Sequence, residues 1–458
     1  MLPINSAIFK AYDIRGVYGQ DFDNELAYLL GLAFVALRQK DSDYSPAKKL
    51  TIAVGADMRL SSPVLKENLV RGLTAAGADV IDIGLVSTPT FYFAVGHYNY
   101  DGGVMVSASH NPKEWNGFKL VRSKGIPVSG DTGMEFLKEK ILENHFLPAA
   151  TPGQILKNNE VLREEIAYAL STTDLTRIKP LKVIVDTANG MGATYIQELF
   201  KNLPTKLVGL NLKLDGSFPA HEADPLKEIN LQQVQQAVIK QEADLGISTD
   251  GDGDRVFFID NQGVTIPPAI IRGLLAQLFL IDQPGAKIGY DVRPGKITVD
   301  MIKEAGGIPT IARVGHSLIK EQMLKENIYF AAESSGHFFL NGPNGCFEYP
   351  SIMILKLLTA FSAINSSIAD YVRPYKKYFA SGEINSAVKD KEVVFQKILK
   401  RYADGKINQL DGVSVEYPDY WFNVRGSNTE PIIRLNLEAI SSKIMEQKRD
   451  EVLNLIKE

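Results

Sequence analysis

Three stretches of this 458-residue chain end in the same way. LTIAVGADMR at 50 to 59, LKVIVDTANG at 181 to 190 and AKIGYDVRPG at 286 to 295 each run apolar and then stop at an acid beside a glycine or an arginine. A short apolar run that stops at a turn reads as a buried strand. Over roughly the first 370 residues such runs alternate with longer amphipathic segments, the pattern of a sheet with crossover helices. The fold class is therefore α/β, and the recurrence predicts related units. Ligands in such sheets bind beyond the carboxyl ends of the strands, so the loops there should carry the chemistry.

Turn residues or charge replace the apolar periodicity at 146 to 154, near 259 to 263 and around 373 to 378. These breaks set expected domains at 1–150, 151–258, 259–370 and 371–458, the last an α+β unit. A chain of this length exceeds what one hydrophobic core usually supports. With a net charge of −4 and 23 % charged residues it has no polybasic character, so nucleic acid is not an expected partner. The lone Cys346 has no internal disulfide partner and is too few for a cysteine metal site. It suits a reducing compartment. No signal-like N-terminus and no sufficiently long apolar run appears, so the chain reads as cytoplasmic with no membrane partner.

The loop TDGDGDR at 249 to 255 sets Asp250, Asp252 and Asp254 at alternate positions. Three carboxylates so close repel one another unless a cation neutralises them. Alternate α-carbons of a strand lie about 6.7 Å apart, whereas oxygens sharing one Mg²⁺ each sit about 2.1 Å from it, so the loop must curl. Gly251 and Gly253 permit that. Hard oxygen ligands favour Mg²⁺. A calcium-hand loop would need glycine and glutamate where Arg255 and Asn261 stand, so that reading fails, and an acidic solvated turn is the plain alternative.

Two further loops are rich in hydroxyls. WFNVRGSNTEPIIRL at 421 to 435 gathers Arg425, Ser427, Asn428 and Thr429 between two apolar strands. A phosphate dianion only accepts hydrogen bonds, and this turn offers a guanidinium, hydroxyls and an amide together. A plain turn would use the same letters. AAESSGHFFL at 331 to 340 offers Glu333, Ser335 and His337, a set suited to paired sugar hydroxyls or to a capped turn.

VMVSASHNPKEW at 104 to 115 presents Ser109 beside His110. A hydrolase elbow wants glycines where Ser107 and Asn111 stand, and sequence neighbours seldom face each other, so His110 is a poor base for Ser109. A turn serine and a serine carrying a phosphoryl group remain open from the loop alone. A dinucleotide site at VIVDTANGMGATY is rejected because Tyr195 takes the third glycine's place.

In this order, SASHNP, DGDGDR, ESSGH and RGSNTEP resemble the four signature loops of the α-D-phosphohexomutases, nearest the phosphomannomutase/phosphoglucomutase group. FKAYDIRG at 9 to 16, STP at 87 to 89, NGFK at 116 to 119, DGSFPAHEADP at 215 to 225 and VGHSLIK at 314 to 320 extend the likeness nearly end to end. The resemblance implies three similar mixed α/β sandwich units and a C-terminal α+β domain around a central cleft. It implies that Ser109 is phosphorylated and, with Asp250, Asp252 and Asp254, completes a Mg²⁺ shell. Arg15, His110, Lys119 and His316 join the implied catalytic set. Tyr12, Arg255, Arg293 and Gly315 would line the substrate, Glu333 and Ser335 would hold sugar hydroxyls, and Arg425, Ser427, Asn428 and Thr429 would grip the non-reacting phosphate. The implied partners are small-molecule sugar phosphates, with a hexose 1,6-bisphosphate as activator and intermediate; oligomeric state is not implied.

Three positions depart from the group: Ala56 where arginine is common, Ala332 where glycine is usual, and Arg293 where lysine is frequent. The first two bear on loop geometry, the third on phosphate contacts, since arginine is a fork and lysine a point charge. Phosphoglucosamine mutases carry DGDADR and a GTDGIRG-like opening, unlike the DGDGDR and AYDIRG here. A non-catalytic sugar-phosphate binder of the same fold is the reading from another class.

Overall fold

A computed structural model describes residues 4–147, 149–293, 295–426 and 432–457. The chain divides into two compact units, Met1–Ile266 with His337–Ile368 and Pro267–Gly336 with Ala369–Glu458.

In the first unit the strand Thr51–Ala56 lies parallel between Asp79–Leu85 and Gly102–Val106, with the helix Ser62–Ala75 as its crossover. Helices cover such a strand on both faces, which is why its sequence runs apolar instead of alternating. Ile52 and Val54 are fully buried. Trp115–Arg122 and Ile14–Val17 extend this sheet antiparallel at one side and Ile155–Lys157 closes the other, giving six strands. The arrangement recurs further along: Lys182–Asp186 lies parallel between Lys206–Leu210 and Leu245–Thr249, and Val256–Asp260 then pairs antiparallel.

The second unit holds the third copy. Lys287–Asp291 lies parallel between Ile308–Ala312 and Phe330–Ala332, with the helix Lys296–Glu304 crossing between the first two strands. The acid that ends each first strand closes its turn by accepting the backbone N–H two residues on. Asp57 takes Arg59 N at 3.0 Å, Asp186 takes Ala188 N at 2.9 Å and Asp291 takes Arg293 N at 3.2 Å. Aspartate suits this local bond because its short side chain reaches its own backbone.

The repeat also positions the chemistry. In every copy the third parallel strand runs directly into a signature loop: Gly102–Val106 into SASHNP, Leu245–Thr249 into DGDGDR, and Phe330–Ala332 into ESSGH. All three loops thus leave the carboxyl ends of parallel strands, where ligands of such sheets bind.

The chain ends in an antiparallel sheet ordered Phe379–Ala387, Ile432–Ala439, Tyr420–Gly426, Val413–Glu416, Lys406–Asn408. Ile433, Leu435 and Leu437 alternate inward along one strand and meet Ile398 of the helix Lys391–Arg401 and Val452 of the helix Ser442–Lys457. Among the described residues no single helix is long and apolar enough to cross a membrane.

Candidate active site

Ser109 is buried and holds φ at +52°, in the left-handed region. That conformation costs a non-glycine residue about 1–3 kcal/mol unless its surroundings impose it. Here its N–H donates to Ser107 Oγ at 3.0 Å and its hydroxyl donates to Asp250 Oδ2 at 3.0 Å. The same turn brings Ser109 Oγ to 3.2 Å from His110 Nδ1, correcting the expectation that the two neighbours face apart. Burial, with Arg255 and Arg15 close by, holds the His110 imidazole well below its usual range, so the ring is neutral.

Asp250, Asp252 and Asp254 are buried, with one carboxylate oxygen from each within 4.8 Å of the other two. The curl is made by Gly253, whose φ is +77° and whose N–H donates to Asp250 Oδ1 at 3.1 Å. Gly251 is needed for a different reason: a Cβ there would stand 2.4 Å from the Ser109 carbonyl oxygen. Its missing side chain lets the serine loop close on the acidic loop.

Lys119 Nζ lies 2.9 Å from Asp252 Oδ2 and 2.6 Å from Asp254 Oδ2. Burial alone would discharge this ammonium, but the two carboxylates outweigh it and hold its pKa well above the usual value. Burial and the neighbouring Asp254 and Asp252 carboxylates push Asp250 well above the carboxylate range. For Asp254 burial is outweighed by Lys119 and His337, and its pKa falls. Among the described residues Asp252 Oδ1 is buried without a hydrogen-bond partner, while Asp254 Oδ1 lies 3.1 Å from His337 Nε2. Hard oxygen donors with one orphaned oxygen fit a divalent cation of the Mg²⁺ kind.

Cationic side chains surround the pair of loops. Arg15 donates from Nη1 to Asn111 Oδ1 at 3.0 Å and pairs with Asp13 Oδ2 at 2.7 Å, three residues after the half-buried Tyr12. Arg255 N donates to Asp250 Oδ1 at 3.2 Å, and its Nε lies 3.4 Å from His337 Nε2.

The second unit assembles another set around Glu333. Glu333 Oε1 accepts Gly315 N at 2.9 Å and lies 3.6 Å from Arg293 Nη2, while Ser335 Oγ lies 3.4 Å from Glu333 Oε2. Gly315 holds φ at +133°, a conformation that favours glycine, and introduces the helix His316–Glu326 with His316 buried at its first turn. Arg425 Nη2 donates to Glu383 Oε2 at 2.7 Å, and Arg434 Nη1 lies 3.5 Å from Glu383 Oε1. Burial alone would raise the Glu383 carboxyl, but Arg425, Arg434 and Arg293 outweigh it and lower its pKa. Arg425 and Arg434, two guanidinium groups against the one carboxylate of Glu383, leave net positive charge, as a phosphate site requires.

The sequence matches the phosphoglucomutase/phosphomannomutase alpha/beta/alpha domains I, II and III over residues 6–147, 164–263 and 269–378, and the C-terminal domain over 383–455. A phosphomannomutase of Vibrio cholerae is 37% identical over 460 residues, covering 98% of each chain. The chain belongs to the phosphoglucomutase/phosphomannomutase family.

A phosphomannomutase of Escherichia coli is 38% identical, covering 98% of this chain and 99% of its own. A crystal structure of a family protein from Burkholderia thailandensis superposes with a TM-score of 0.89 at 32% identity, covering 99% of this chain and 98% of its own. This phosphoglucomutase/phosphomannomutase family member is accordingly a phosphohexomutase, an enzyme of the isomerase class, with three α/β/α domains and a distinct C-terminal domain.

Ser109, His110, Lys119, Arg15, Arg255 and the three aspartates meet in the first unit of this family fold, and Gly315, Arg293, Glu333 and Ser335 meet in the second. Ser427, Asn428 and Thr429 lie outside the described residues. Three residues stand at these sites without having been assigned there from sequence. His337 was grouped with the sugar loop, yet its Nε2 lies 3.1 Å from Asp254 Oδ1. Arg59 sits fully buried against the serine loop, its only signal being the recurrent acid-x-arginine turn. Glu383 carries no sequence signal at all.

Proposed function

We propose that this phosphohexomutase moves a phosphoryl group reversibly between carbon 1 and carbon 6 of mannose or glucose phosphates through a phosphoserine at Ser109 and a hexose 1,6-bisphosphate. The carrying observation is Ser109 Oγ, 3.0 Å from Asp250 Oδ2 inside a buried three-aspartate cluster. Asp250, Asp252 and Asp254 would hold Mg²⁺, which supplies charge neutralisation for the phosphoryl oxygens.

Phosphoryl transfer demands positioning and electrostatics more than covalent help from the protein. The phosphoryl group leaves Ser109 Oγ, which takes up a proton, for the sugar's free hydroxyl, whose proton passes to a basic side chain; in the second transfer Ser109 Oγ gives up that proton and attacks the other phosphate, and the sugar oxygen released takes a proton in its place. His110 Nδ1, 3.2 Å from Ser109 Oγ, stands within reach of that proton. Lys119 and Arg15 neutralise developing charge beside the loop. Glu333 and Ser335 orient sugar hydroxyls, and Arg425 with Arg293 binds the phosphate that does not react. Buried surroundings keep water from the phosphoserine. The reading carries domain boundaries at 150, 258 and 370 and a cytoplasmic location, in keeping with the single buried thiol.

The test is turnover of mannose, glucose and glucosamine 1-phosphates to their 6-phosphates with Mg²⁺ and glucose 1,6-bisphosphate. Mannose and glucose phosphates should turn over fastest, with Ser109→Ala inactive. A higher rate on glucosamine 1-phosphate would move the assignment to phosphoglucosamine, and no turnover of any of the three would overturn it.

A further inference from the structure

Asp252 is held from outside its own loop. Thr88 opens the helix Thr88–His97; its hydroxyl donates to Asp252 Oδ2 at 2.6 Å and its backbone N–H donates to the Asp252 carbonyl at 3.0 Å. Lys119 Nζ reaches the same Oδ2 at 2.9 Å. A carboxylate oxygen offers two acceptor sites, so Oδ2 is fully engaged by protein. Among the described residues Oδ1 of the same carboxylate is buried with no hydrogen-bond partner. The two oxygens are therefore sorted, one for the protein and one left over.

The helix start that performs this sorting is itself anchored. Ser87 Oγ accepts Thr90 N at 3.2 Å, and Thr90 Oγ1 donates to Glu165 Oε2 at 2.5 Å, all within fully or almost fully buried surroundings. Pro89 fixes the backbone beside Thr88. Threonine's branched Cβ restricts its own rotamer, and the helix N-terminus favours the negative charge placed against it.

We propose that Thr88 is a positioning residue of the metal centre, orienting Asp252 so that Oδ1 is the oxygen offered to the cation. The proposal rests on the reading of Asp250, Asp252 and Asp254 as a Mg²⁺ site. Groups that orient metal ligands typically contribute about 10- to 100-fold to metal affinity. Titrating the full-length metal-free protein with MgCl₂ by calorimetry reads this without reference to turnover. Thr88→Val should weaken Mg²⁺ binding by about 10- to 100-fold, and Thr88→Ser, which keeps the hydroxyl, should stay within about threefold of the wild type. Each variant is measured below its own metal-free melting transition.

Unchanged affinity in Thr88→Val, or an equal loss in Thr88→Ser, overturns the proposal. Failure of both Thr88→Val and Thr88→Ala to fold also overturns it, because the hydroxyl's role is then structural. Asp252→Asn separates the two layers. If that variant binds Mg²⁺ like the wild type, the metal reading itself fails. If it loses binding while Thr88→Val does not, only the role of Thr88 fails.

Discussion

In the turn after Thr51–Ala56, Asp57 is followed two residues later by Arg59; in the turn after Lys287–Asp291, Asp291 is followed two residues later by Arg293. The backbone bond is the same in both. The guanidinium groups are spent differently. Arg59 donates to four carbonyl oxygens of the serine loop: Ser109 at 2.8 Å, Asn111 at 2.6 Å, Pro112 at 2.7 Å and Trp115 at 3.0 Å. Only its Nε approaches Asp57, at 3.3 Å, so burial wins and the Asp57 carboxyl is pushed up. Arg293 instead turns Nε to Asp291 Oδ2 at 2.9 Å, and Arg272 adds a second guanidinium at 3.1 Å. Although burial opposes it, the Arg293 and Arg272 charges and the Ser334 N–H hold Asp291 down at about 2. One local turn thus yields a backbone clamp in the first domain and an ion-pair platform beneath the Glu333 loop in the third.

The contrast is broken most easily by removing each arginine. Arg59→Met should destabilise the protein by about 3–5 kcal/mol, because it strands the buried Asp57 and frees the serine loop. Arg293→Met should cost about 2 kcal/mol, since Arg272 still covers Asp291. Urea unfolding measures both, and equal losses would mean that the two turns do the same work.

Acid sharpens the second half. A depressed carboxyl pKa contributes stability above its unfolded value of 3.8 that is lost as pH falls through about 2. The step is about 2 kcal/mol. Asp291→Asn should remove that step from the acid limb of stability against pH; an unchanged limb would show that the two guanidinium groups do not set it. Asp57, shifted the other way, makes no such contribution.

The middle repeat supplies the smallest effect. Among the described residues Asp186 has no arginine partner; His221 Nε2 lies 3.1 Å from its Oδ2. Burial would lower the His221 pKa, but Asp186 and the Glu222 carbonyl outweigh it and raise it. A raised histidine contributes below its unfolded value of 6.5 and loses that contribution as pH rises through the folded one. His221→Gln should cost under about 1 kcal/mol at pH 5 and nothing at pH 9, a difference that melting curves at the two pH values resolve.

How much of this could be read in advance follows from the range of each interaction. The three repeats were legible because a buried parallel strand must be apolar on both faces and an Asp-closed turn is local. The acidic loop was legible because its residues are neighbours, although its glycines serve two purposes that sequence merged: Gly253 bends the chain, whereas Gly251 admits the Ser109 carbonyl from another domain. The contact between Ser109 and His110 was misjudged because a left-handed serine carries no mark in sequence. Arg59, Thr88 and Glu383 act across 50, 164 and 42 positions respectively, and such pairings are fixed by packing alone.

The account's central claim is that the hydroxyl of residue 109 receives and returns the phosphoryl group. Peptide mass analysis of the dephosphorylated enzyme after incubation with glucose 1,6-bisphosphate and Mg²⁺ addresses it directly. The account predicts one added phosphoryl group on the peptide containing Ser109, removed again by glucose 6-phosphate and absent in Ser109→Ala. A phosphoryl group on any other residue, or none in an enzyme that turns over, would contradict it.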